Sequence, residues 1–146
     1  MKKGFTLVEL LATIVILGII STIAVISIDG MIDHSNVSEC ENILLSIKSS
    51  VKDFISENRF KITTMSGYSE SGGVKKYTVT VSELMTAGFL TGSIKDPFDK
   101  GKNVNTSKIQ LFITLNDDYT YQSVDIKNVN TGSLIECTGD SVGFPG

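Results

Sequence analysis

The sequence predicts an α+β protein: a long N-terminal helix whose hydrophobic half protrudes and whose second half packs on a small antiparallel β-sheet head. Three observations carry this. An unbroken apolar run opens the chain, an amphipathic run with helical spacing follows, and short β-rich runs divided by turn residues fill the rest. With 146 residues the chain holds one domain's worth of sequence, at a formal net charge of −3. Arg59 is its one arginine, His34 its one histidine, and Cys40 and Cys137 are its cysteines. So lysine-dominated and acidic a chain does not read as a nucleic-acid binder. Two cysteines and one histidine exclude zinc ribbons, histidine metal cages and a disulfide-dense scaffold. No phosphate-binding loop, nucleophile elbow, dinucleotide fingerprint or metalloprotease motif is present, so the chain does not read as an enzyme and implies no cofactor.

The first element is the apolar run. From Leu10 to Ile28 there are 19 residues without a charge, about 28 Å of helix, close to the bilayer core of about 30 Å. It is apolar on every side, so it belongs in lipid or inside a protein bundle. Lys2 and Lys3 precede it, which places the N-terminus in the cytoplasm and exports the rest. Glu9 breaks the pattern, because a carboxylate at mid-membrane costs about 2.5–3.5 kcal/mol. Either Glu9 sits near the interface, or it has a dedicated positive partner. Cleavage after Gly4 would create one: the new α-amine of Phe5, which a neighbouring subunit shifted along the axis could pair with Glu9.

The segment Lys2-Lys3-Gly4-Phe5-Thr6-Leu7-Val8-Glu9-Leu10-Leu11 resembles the prepilin-peptidase site of type IV pilins and pseudopilins. The resemblance covers Met1 to about Ile28 strongly and the rest only in architecture. It implies cleavage between Gly4 and Phe5, methylation of the Phe5 amine, and assembly through Phe5 and Glu9. It divides the chain into a leader (1–4), a transmembrane or filament-core helix (5–28) and a head with the amphipathic half of the helix (29–146). It implies as partners the chain itself in a helical homopolymer, other pilins, the prepilin peptidase, an inner-membrane assembly platform and the membrane. The protein would be single-pass before assembly and part of a cell-surface filament for adhesion or twitching afterwards. A secretion or competence pseudopilin is the alternative within the family, and an uncleaved, signal-anchored extracellular binding module the alternative outside it. Many members carry a proline in the second half of this helix. Here none stands between Phe5 and Arg59, so Gly18 and Gly30 are the weak points.

The second element is the amphipathic run. Val37, Cys40, Leu44, Ile47, Val51 and Phe54 recur at helical spacing, widened by Ile43 and Ile55, with Glu39, Glu41, Lys48, Lys52, Asp53 and Glu57 off the stripe. One helix from about Phe5 to about Phe60 is expected, roughly 80 Å long. Residues 63–73 read as a loop. Tyr77–Val81 reads as a strand, and Ser82 to Gly88 as a short helix with Ser82 as N-cap and Gly88 as C-cap. Asp96 to Gly101 is turn chemistry. Lys108–Leu115 and Tyr119–Ile126 read as a hairpin joined at Asn116-Asp117-Asp118, and Ser133–Cys137 as an edge strand.

Cys40 and Cys137 are a candidate disulfide in an exported protein, the alternative being two separate buried thiols. Asp96 and Asp99 could offer oxygens to calcium, but the spacing falls short of an EF-hand and an ordinary turn is the better reading. Lys75 and Lys76, with Lys95, Lys100, Lys102 and Lys108, are interspersed with acids and read as solvated surface, and His34 as an exposed, unspecialised side chain.

Overall fold

The computed structural model describes residue 4 and residues 6–99, 101–138 and 143–146; the side chains of residues 22–31 and 33 lie outside that description. The chain divides into two compact units, Met1–Ser35 and Asn36–Gly146. One helix, α1, is assigned to Leu7–Asn58. It passes Gly18 without a break, as the lack of a proline allows.

In the first unit the apolar side chains from Leu7 to Ile20 are exposed on every side of the helix, Leu7 at 82% and Leu17 at 62%. The second unit holds the core. There α1 turns Cys40, Ile47, Val51, Phe54 and Ile55 inward, with Ile43 and Leu44 packed at the margin. Glu39, Glu41, Lys48, Lys52, Asp53 and Glu57 face solvent. The period of the stripe therefore gives the buried face correctly.

Four strands follow: β1 (Tyr68–Ser71), β2 (Val74–Thr80), β3 (Ile109–Leu115) and β4 (Tyr121–Asn128). They pair antiparallel in the order β1-β2-β3-β4. Alternate residues of β3 (Ile109, Leu111, Ile113 and Leu115) are buried with Tyr77 and Val79 of β2. Phe54 stacks on Tyr77 at 5.6 Å and meets Phe89 edge-on at 5.3 Å.

The loop expected over 63–73 contains β1, preceded by a 3-10 turn at Ile62–Thr64. Gly72 and Gly73 both have positive φ, at 59° and 79°, and form the two-residue turn that pairs Ser71 with Val74. Primed turns of this kind match the strand twist and require left-handed residues at both positions. Gly67 serves a different end. A Cβ there would fall on the Thr78 carbonyl oxygen, where Thr78 N–H donates to Gly67 O at 2.9 Å.

The short helix α2 spans Val81–Thr86, one residue earlier than its expected start. Its N-cap is Thr80 rather than Ser82. Thr80 Oγ1 accepts from Glu83 N–H while Glu83 Oε2 accepts from Thr80 N–H at 2.7 Å, a reciprocal capping box. The helix closes with Ala87 at the C-cap and Gly88 following at φ 85°. Phe89 N–H returns to Leu84 O and Gly88 N–H to Met85 O.

The β3–β4 connection runs from Asn116 to Thr120, so Tyr119 and Thr120 belong to the hairpin tip and not to the strand. A turn closed by Tyr119 N–H to Asn116 O leads into Tyr119 at φ 63°, where glycine is usual. Two cations brace this tip. Arg59 Nε donates to Asp118 O at 2.8 Å, and Lys75 Nζ donates to Asp117 O at 2.8 Å while lying 4.5 Å from the centre of the Tyr119 ring.

Ser133–Cys137 does not form a strand. It touches β4 through one bridge, Lys127 to Leu134, and Ile135 N–H donates to Ile126 O. Beyond it Phe144 and Pro145 are buried, and Pro145 O accepts from Asn105 N–H at 2.7 Å. A disulfide of 1.99 Å joins Cys40 of α1 to Cys137, 97 residues away in sequence.

Candidate functional site

The candidate site is the start of α1. Gly4 is exposed, with open space where a Cβ would stand. Phe5 lies outside the described residues, as do Lys2 and Lys3. Thr6 is the residue that precedes the helix. Its N–H and its Oγ1 both donate to Glu9 Oε2 at 2.9 Å, and Glu9 N–H donates to Thr6 Oγ1 at 3.3 Å. Leu10 N–H reaches Thr6 O at 3.2 Å. This is a second capping box, with the T-x-x-E spacing of Thr80 and Glu83.

The physical logic is local. The first N–H groups of a helix lack intrahelical acceptors and carry partial positive charge. A threonine before the first turn and a glutamate three residues on satisfy two of them. Glu9 is thus held at the helix start in the single chain. Sequence reasoning offered Glu9 either a place near the interface or an outside partner, and missed Thr6 as an inside one. The signal was present: a hydroxyl residue followed three positions later by glutamate, just before an apolar run.

His34 is exposed. Asp96 Oδ1 accepts from the N–H groups of Phe98, at 2.9 Å, and Asp99, at 3.3 Å, and so organises a turn. Asp99 Oδ2 lies 2.7 Å from Lys102 Nζ, and the hydrogen bond and charge of Lys102 hold the Asp99 carboxyl below its ordinary value. Lys100 lies outside the described residues. Among the described residues no group of three or more His, Cys, Asp and Glu side chains is placed to hold a metal ion. Lys75 is turned to the hairpin tip, 3.6 Å from Asp117 Oδ1.

A family model described as the prokaryotic N-terminal methylation motif matches residues 1–25. That motif is the class III signal peptide found in type IV pilins and pseudopilins. The methylation motif supports a type IV pilin- or pseudopilin-like precursor, and a motif of that family points toward a structural subunit. In general terms it implies processing by a prepilin peptidase, polymerisation with other pilins, and passage from a membrane-anchored precursor to a surface filament. Among the described residues no helix is long and apolar enough to cross a membrane. No curated protein and no solved structure matches the chain. Beyond the motif, the α+β architecture is consistent with a pilin fold.

Proposed function

We propose that this protein is a structural subunit of a type IV pilus-like surface filament, cut after Gly4, methylated at Phe5 and polymerised through the N-terminal part of α1. One observation carries the reading: the methylation motif leads directly into a helix exposing apolar side chains on every side from Leu7 to Ile20, with Glu9 the charge among them. Each fully buried leucine, isoleucine or valine is worth about 1.5–3 kcal/mol, so such a surface must be covered. Lipid covers it in the single-pass precursor, and the same helices of other subunits cover it in the polymer. Both Thr6 contacts use Glu9 Oε2. Among the described residues none is bonded to Oε1, which leaves it for the Phe5 amine of a neighbour without breaking the capping box. The inner-membrane assembly platform receives the cleaved subunit, and the pairing sets its register.

The test is intact mass and N-terminal sequencing of the protein from native membranes and from the sheared surface fraction. Chains beginning at methylated Phe5 in the sheared fraction are expected. Chains beginning at Met1 and confined to membranes, in cells with an active prepilin peptidase, would overturn the reading. Glu9→Leu is expected to leave the protein in the membrane and empty the sheared fraction. An uncleaved anchor would instead tolerate that change.

A further inference from the structure

We infer that Phe60 of one copy seats in the groove between α1 and residues 90–95 of a second copy, a contact between the second units of neighbouring copies in the polymer. The inference rests on the filament reading above and adds a contact within the second unit, away from the N-terminal helix start. Phe60 is 91% exposed, just past the end of α1, with the Arg59 guanidinium 5.7 Å from the centre of its ring. An exposed aromatic beside an arginine has the composition of an interface anchor, and in the single chain the ring stays almost wholly in solvent. The groove is a cavity of about 270 Å³. Ile43, Ile47, Leu90 and Ile94 give it an apolar floor, and Glu39 and Lys95 stand at its rim.

Arg59, Lys52 and Asp53 line the cavity beside Phe60, and in the contact inferred here the groove's Glu39 takes Arg59 as its partner and its Lys95 takes Asp53. Arg59 already gives Nε and Nη2 to Asp118. A guanidinium has five N–H donors, so Nη1 can serve an outside carboxylate without breaking that brace. The placement also suits a repeating contact. The end of α1 at Asn58, two residues before Phe60, is 15 positions from Ile43, about 22 Å along the helix. Lys52, Asp53 and Ser56 average roughly 100° around α1 from Glu39, Ile43 and Ser46. Knob and groove are therefore different patches on different flanks. A heterologous contact of this kind adds copies in one direction and does not close on itself as a two-fold dimer does.

The test is cysteine cross-linking in sheared filaments of the full chain carrying both Lys61→Cys, at the exposed position next to Phe60, and Thr91→Cys in the groove. A ladder of covalent multimers on non-reducing gels, collapsed by reduction and absent from either single variant, is expected. Wild-type and variant filaments that assemble while the double variant gives no ladder would overturn the contact and leave the filament reading intact. Wild-type cells with no sheared polymer would overturn both. If the cysteine variants do not assemble, charge reversal decides. Asp53→Lys or Lys95→Asp alone is expected to lower the sheared yield at least threefold, and the two together to restore it. Failure of the double reversal to restore yield overturns the contact. Phe60→Ala is expected to cut the yield tenfold or more while leaving the melting temperature of the detergent-extracted protein unchanged.

Discussion

Asp118 shows how much a single side chain can organise. Its Oδ1 accepts from Thr120 Oγ1 at 2.6 Å and from Thr120 N–H at 3.2 Å, and its Oδ2 meets Arg59 at 3.2 Å. The hydroxyl hydrogen bond first, then the backbone one, with Arg59 assisting, hold its carboxyl below the ordinary 3.8. A carboxyl depressed in the folded state stabilises above its unfolded pKa and ceases to do so as pH falls through the folded one. The tip is therefore expected to loosen only below about pH 4. An NMR titration of Asp118 is expected to give a midpoint below 3.8, moving toward 3.8 in Thr120→Val; an unmoved midpoint would transfer the effect to the backbone N–H of residue 120, which valine keeps, and to Arg59. The capping boxes make a second residue-scale case. Thr80→Ala removes the acceptor for Glu83 N–H and is expected to cost about 1 kcal/mol in urea unfolding, with Ser82→Ala near neutral. Two hydroxyl residues compete for that N-cap in the sequence, and the choice follows from spacing. Glutamate stands three positions after Thr80, whereas Met85 stands three after Ser82.

At the scale of elements, legibility followed periodicity. The buried stripe of α1 and the alternation of β3 could be read directly, because a helix or strand with one buried face must repeat at its own period. β1 could not, because Tyr-Ser-Glu-Ser lies at a sheet edge, largely exposed, and carries no alternation. Its one trace was Gly72-Gly73, a hairpin signal between two otherwise polar runs. The start of β4 was set two residues early because Tyr119 and Thr120 are β-formers. Their place in the tip depends on Arg59 and Lys75, which reach it from 59 and 42 positions away. The candidate site divided similarly: Gly4, Phe5 and Glu9 stood out as a contiguous motif, while the capping role of Thr6 was overlooked. The disulfide links elements with no periodic relation. Closing a loop of 97 residues is worth about 4–5 kcal/mol of chain entropy. Cys40→Ser with Cys137→Ser is expected to lower the unfolding free energy by about 2–5 kcal/mol and to raise the denaturant slope, since the unfolded chain expands. An unchanged slope would mean that the bridge acts mainly in the folded state.

For the whole molecule, the two units differ in kind. The second contains the buried core, the sheet and the disulfide. The first exposes apolar side chains through much of its length. A fragment beginning at Asn36 is therefore expected to be monodisperse without detergent and to melt cooperatively, while the full chain needs detergent or lipid. Size-exclusion chromatography and circular dichroism on both would check this. Aggregation of the fragment would show that the second unit needs the first. The Cys40–Cys137 bond also makes the intervening chain a covalent ring. Both hairpin turns, α2 and the 90–95 loop lie inside it. A protease that cuts an exposed turn such as Gly72-Gly73 opens the backbone but frees no piece: the product is one molecule, a single water heavier, until a reductant is added. Its two segments stay at the high local concentration of a tethered pair and can re-form the sheet. On a surface exposed to foreign enzymes, damage at a turn then becomes a scar instead of a loss.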